Sequence, residues 1–141
     1  MALLAAALLV AQRLPEGKGT PIAWQDLTSR VGPIVIVRSE HRLFRDRHQL
    51  AGYLKSAQAR RAAPAVDFRK RQLLLVSPGP RSSTGYSVQI LGVTEHGGKI
   101  TVAFRERTPS LGERASPRVT YPYRLLSLPA GKDVYVDQVG R

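Results

Sequence analysis

The side chains that could carry chemistry are few and poorly matched to one another. Three histidines, His41, His48 and His96, stand respectively in a charged stretch, a helical stretch and a turn. A serine nucleophile needs a histidine base and an oriented acid beside it, and no serine here sits in a G-x-S-x-G elbow. His41 precedes the expected helix that holds His48, and no acidic cluster joins the pair to complete a metal's ligand set. The ten acidic residues are scattered along the chain, so the paired carboxylates of a glycosidase are hard to assemble. Asp67, in Ala65-Val66-Asp67-Phe68 ahead of a strand, reads as a turn carboxylate that accepts backbone N–H bonds. Gly79 and Gly85 flank a polar loop without a phosphate-loop pattern. The expectation is a protein without catalytic residues, bound metal or cofactor.

With 141 residues the chain is one ordinary domain. It has no cysteine, which rules out disulfides, thiol catalysis and cysteine–zinc sites. Its 22 basic residues against 10 acidic ones give a net charge of +12. Such an excess attracts nucleic acid, anionic lipid or acidic protein. Ten of these cations, Arg38, Arg42, Arg45, Arg47, Lys55, Arg60, Arg61, Arg69, Lys70 and Arg71, fall within 34 residues. Few aromatics interleave them, whereas single-stranded nucleic-acid surfaces stack bases on aromatics. The favoured reading is a solvated face shaped by compositional bias. Seventeen of the basic residues are arginine and there is no asparagine, as heat adaptation or GC-rich coding would produce.

The elements follow from periodicity. Met1 to Ala11 is an apolar run of the length found in secretory signals, but no positive residue precedes it. An export signal or its remnant is the favoured reading; a mis-assigned start and a buried N-terminal helix are the alternatives. Leu14 to Pro21 reads as a linker. Ile34-Val35-Ile36-Val37 predicts a strand. Asp46 to Arg61 predicts the one helix, opened by an Asp46/Gln49 capping box and stopped by Pro64. Thereafter the period is two: strands are expected over 72–77, around Val88, around Val102, around Leu126 and around Val134. Glu95-His96-Gly97-Gly98 is a hairpin signal. Sequential strands with short turns favour antiparallel pairing. Two connections are more than turns: 78–85, and the proline-rich 108–122, whose length suits a binding loop.

From Val66 onward the order of motifs is distinctive: Val66-Asp67-Phe68, a hydrophobic strand, Gly79, Thr84-Gly85-Tyr86, Pro109, then Thr120-Tyr121-Pro122-Tyr123 ahead of a leucine-rich strand. This order resembles the C-terminal domain of the PrcB family, the protease complex subunit family, over 64–136. The resemblance implies a non-enzymatic, exported bacterial domain that associates with a secreted protease and stabilises its complex. Ser83-Thr84-Gly85-Tyr86 is also similar to a loop of the chagasin-like peptidase inhibitors, without that family's other loops.

The combined expectation is an α+β fold: a mostly antiparallel sheet, sandwich-like, with one helix packed on it. Residues 1–21 would be signal segment and linker, and 22–141 one domain. The partner would be a protein, with a secreted protease first and a polyanion held by the arginine face as the alternative; no span crosses a membrane. The location would be the periplasm, envelope or exterior, with the cytoplasm as alternative. Arg81, Ser83, Thr84, Gly85, Tyr86, Tyr121, Pro122 and Tyr123 are the expected partner-binding residues, on two loops that would share one edge of the sheet. Asp67 and Phe68 are expected to be structural.

Overall fold

A computed structural model describes residues 19–140. The expectations for the first eighteen residues lie outside the described residues. Two four-stranded sheets face each other, and helices cover the far side of one of them. The elements run β1 (Thr20–Pro21), β2 (Gln25–Asp26), α1 (Thr28–Val31), β3 (Glu40–Phe44), α2 (Arg47–Ser56), β4 (Arg71–Ser77), β5 (Ser87–His96), β6 (Lys99–Arg107), β7 (Arg124–Pro129) and β8 (Asp133–Gln138). One sheet has the order β1-β5-β6-β8 and the other β2-β7-β4-β3.

Residue alternation explains the layers. In β4, Leu74 and Val76 point into the space between the sheets, where they meet Val93, Ile100, Val102, Phe104, Leu126 and Leu128. Leu73 and Leu75 point the other way, against Leu50 and Leu54 of α2. A strand covered on both faces reads as a continuous apolar run, as Leu73-Leu74-Leu75-Val76 does. Each such fully buried leucine contributes about 1.5–3 kcal/mol of transfer free energy.

The predicted hairpin is present: β5 and β6 join at Gly97-Gly98, both at positive φ (57° and 77°), as a two-residue turn with left-handed centres requires. All sheet pairings are antiparallel except one. β8 runs parallel to β6, Ile100 opposite Val134, because the chain crosses to β7 in the other sheet before returning.

Three local expectations are corrected. Residues 34–37 form no strand. Val35 N–H bonds only the carbonyl of Ala57, at 2.8 Å, while the edge position beside β4 is taken by the charged β3. Ile34 and Ile36 are buried and Val37 is exposed. The helix ends at Ser56, before Arg61. Gln58 turns to φ +60°, and Ala59 and Gln58 N–H bond the carbonyls of Leu54 and Lys55. This is a Schellman stop, so Pro64 plays no part in it. The start follows expectation in part: the Asp46 carboxylate accepts Gln49 N–H at 2.8 Å, but the Gln49 side chain reaches Arg45 N–H instead of that of Asp46.

Candidate functional site

The two long loops meet at one end of the sandwich, where β4 and β6 end and β5 and β7 begin. Arg81 and Thr120 pair as an isolated antiparallel bridge, each N–H donating to the other's carbonyl at 2.9 Å. Thr84 N–H donates to Ser116 O at 3.0 Å, and Ser116 N–H returns a bond to Thr84 Oγ1 at 2.8 Å. Thr120 Oγ1 donates to Ser83 O at 2.8 Å. Segments 81–84 and 116–120 are thus stitched together. Spacing alone puts no loop beside another; only the pairing of β4 with β7 and of β5 with β6 does.

Ion pairs tie the joined loops to β6. Arg81 grips Glu106 with both arms of its guanidinium, at 2.6 and 2.9 Å, and the hydrogen bond with Glu106 holds the arginine's pKa above its ordinary value. Its Cζ also lies 5.8 Å from the centre of the Tyr86 ring. Arg107 pairs with Glu113 and donates to Gly85 O at 2.9 Å. The Arg107 hydrogen bond lowers the Glu113 pKa.

The expected binding residues therefore divide. Arg81, Ser83, Thr84 and Gly85 hold the loops together. Gly85 has φ +96°, and a Cβ there would stand 2.7 Å from Glu113 Oε2 and 2.8 Å from Pro109 Cγ. Tyr86, Tyr121 and Pro122 are half-buried. Pro122 O accepts the Ser77 hydroxyl at 2.9 Å. Tyr123 is not a surface residue: only 8% of it is exposed, within the helix-side core, and its hydroxyl donates to Gly32 O. Burial, followed by the charge of Asp26, pushes its pKa up to about 12.

What the joined loops do expose was missed in the sequence. Leu111 is fully solvent-exposed and Val119 is 60% exposed. Leu111 rides a turn closed by Glu113 N–H to Ser110 O at 3.0 Å, with Gly112 at φ +84°. Arg114 and Arg118 are exposed beside them, without an ion pair among the described residues. A lone leucine between glycine and serine carries no periodic signal, which is why pattern reading passed over it.

Elsewhere, Asp67 accepts Arg69 N–H at 3.1 Å and its Nε at 3.2 Å, and these bonds lower its pKa. Phe68 packs on the edge of the helix-side core. His41 lies edge-on to Phe104, 5.6 Å between ring centres, and burial lowers its pKa. Within the arginine stretch, Arg42 pairs with Glu40 and lies over the Tyr53 ring, and Arg61 donates to Ser29 O. Among the described residues no group of three acidic, histidine or cysteine side chains is placed to hold a metal, and no helix is long and apolar enough to cross a membrane.

Residues 73–129 match the family described as PrcB C-terminal. The span starts inside β4 and ends with β7, so it contains both joined loops and the β5–β6 hairpin, and leaves α2 and β8 outside. No curated protein and no solved structure matches the chain.

Proposed function

We propose that this chain is a non-enzymatic, exported protein-binding domain that associates with a secreted protease and stabilises its complex, using the joined-loop end of the sandwich. The observation that carries the reading is the bridge between Arg81 and Thr120. It holds a long loop in one shape and leaves Leu111 and Val119 exposed on it. A loop ordered before binding loses less entropy on association. Apolar side chains displayed on a rigid support suit a protein interface, where a few buried anchors carry most of the affinity. The PrcB C-terminal match covers the same loops, and points to association with a protease complex.

The reading is tested by immobilising the chain and capturing partners from its native cell-envelope extract at low and at ~0.5 M salt, where surface charge attraction is screened. A peptidase retained at high salt by the parent chain, and lost with Leu111→Ser plus Val119→Ser, is the expected result. Retention of nucleic acid alone, at low salt alone, would replace the reading with the polyanion alternative.

A further inference from the structure

The far end of β4, six residues before Ser77, holds a cavity of about 360 Å³, within the size range of small-ligand sites. Arg45, Phe68, Arg71 and the turn over 130–133 wall it. It is separate from the joined loops, at the opposite end of the strand.

Arg71 is the informative residue. Three arginines among the described residues are partly buried: Arg71, Arg81 and Arg124. Arg81 has Glu106 and Arg124 has Asp26. Arg71 has no carboxylate. Its Nε and Nη2 donate to the hydroxyl and carbonyl oxygens of Ser127, at 2.8 and 2.7 Å. These neutral acceptors fix the guanidinium in place and leave Nη1 unpartnered. A guanidinium held in place by neutral acceptors, with no anion of its own, is positioned to donate charge-assisted hydrogen bonds to an external anion. Arg45, on the same cavity, likewise has no ion pair among the described residues.

The remaining charges restrict the ligand. Lys132 is neutralised by Glu95. Asp133 lines the cavity and repels a second negative charge. Two free arginines against one aspartate leave one positive charge, which matches a monoanion better than a phosphate dianion. Carboxylate also fits the planar fork of a guanidinium. The Phe68 ring offers an apolar wall. The turn is preformed: Gln72 Nε2 donates to Pro129 O and Lys132 O, both at 2.9 Å, and Ala130 N–H donates to Lys70 O.

We infer that this cavity binds a monoanionic carboxylate with a short apolar body, held by Arg71 and Arg45 with its body against Phe68. A free small acid and the C-terminal residue of a peptide present the same chemistry.

Titration of the full chain, followed by NMR of the Phe68 and Gly131 amides, tests this. The probes are phenylacetate, phenylacetamide, inorganic phosphate, and a tetrapeptide ending in phenylalanine as free acid and as amide. Saturable shifts with phenylacetate are expected, with phenylacetamide and phosphate at least about tenfold weaker, as loss of a charge-assisted pair implies. Arg71→Gln should weaken phenylacetate about tenfold. Arg45→Gln, on an exposed side chain outside the strands, should weaken it by a smaller factor and serves if Arg71→Gln does not fold. Tighter binding of the free-acid peptide than of phenylacetate identifies a chain terminus as the source; the reverse identifies a small acid. No saturation by about 20 mM, equal binding of phenylacetamide or phosphate, or indifference to Arg45→Gln in a folded chain overturns the proposal.

Discussion

Arg81 and Thr120, 39 positions apart in the chain, exchange both of their backbone hydrogen bonds at 2.9 Å. That single pair converts two proline-rich connections into one surface. The Arg81 side chain then anchors the surface to β6 through Glu106.

Replacing Glu106 with glutamine removes that anchor. Arg81 and Glu106 are only 30% and 13% exposed, so the arginine is left short of water and of its counter-charge. The expected loss is about 1–3 kcal/mol, read from urea unfolding. Amide exchange at Thr84 and Thr120 should accelerate first, because their bonds depend on the loops staying docked. An unchanged exchange pattern would show that the backbone bridge holds the loops without the ion pair.

Gly85→Ala places a Cβ against Pro109 and Glu113 in a backbone conformation that L residues avoid. The expected cost is about 1–3 kcal/mol. Gly97→Ala has open space around its Cβ and only the backbone penalty, so it should cost less. Equal unfolding midpoints for the two variants would contradict the close approach at Gly85.

Gln58→Gly should stabilise the protein. Gln58 holds φ +60° at the helix stop, where a glycine pays no steric penalty in the folded state. The expected gain is about 0.5–1 kcal/mol, net of the freedom that glycine adds to the unfolded chain. A fall in the thermal midpoint would show that the glutamine side chain contributes more than its backbone costs.

Stability should fall at alkaline pH in a way that Tyr123 partly accounts for. In the unfolded chain its hydroxyl ionises near pH 10.0; in the fold, burial and the Asp26 charge push the value up to about 12, with Arg61 opposing. Between those values the unfolded chain holds fewer protons than the folded one. The stabilisation is therefore complete below pH 10.0 and is lost as pH rises through about 12. Tyr53 is shifted in the same direction, by burial and its bond to Glu40. Tyr123→Phe should cost about 1 kcal/mol at neutral pH and should lose less stability than the parent between about pH 8 and pH 11. Parallel pH profiles for the two proteins would contradict this.

Much of the fold is legible because it is local. The alternation of Val88 with Gln89 and of Val102 with Thr101, and the Gly97-Gly98 turn, report a hairpin whose partners are neighbours in sequence. Asp46 announces the start of α2, since its carboxylate needs only the N–H of Gln49. The stop was hidden, because a glutamine rather than a glycine takes the left-handed position. The β-branched run at 34–37 misled for a different reason. Strand propensity describes a side chain that fits a half-buried surface; Ile34 and Ile36 found such a surface beside the helix, with no strand alongside to pair with.

The amino-acid sequence by itself determined the sandwich-like α+β class, the helix start, the hairpin and a family resemblance read over 64–136, of which the family match covers 73–129, because periodicity, short turns and the order of short motifs are all carried by a few residues at a time. Only the tertiary structure decided that β8 runs parallel to β6, that Tyr123 lies in the core, that Arg71 is left without a carboxylate, and that the two loops are joined with Leu111 exposed. The physical reason is common to all four. Each depends on which distant segment comes to lie alongside, and that choice is made by burying Leu73 to Val76 on both faces at once, a condition met by the whole chain and by no window of it.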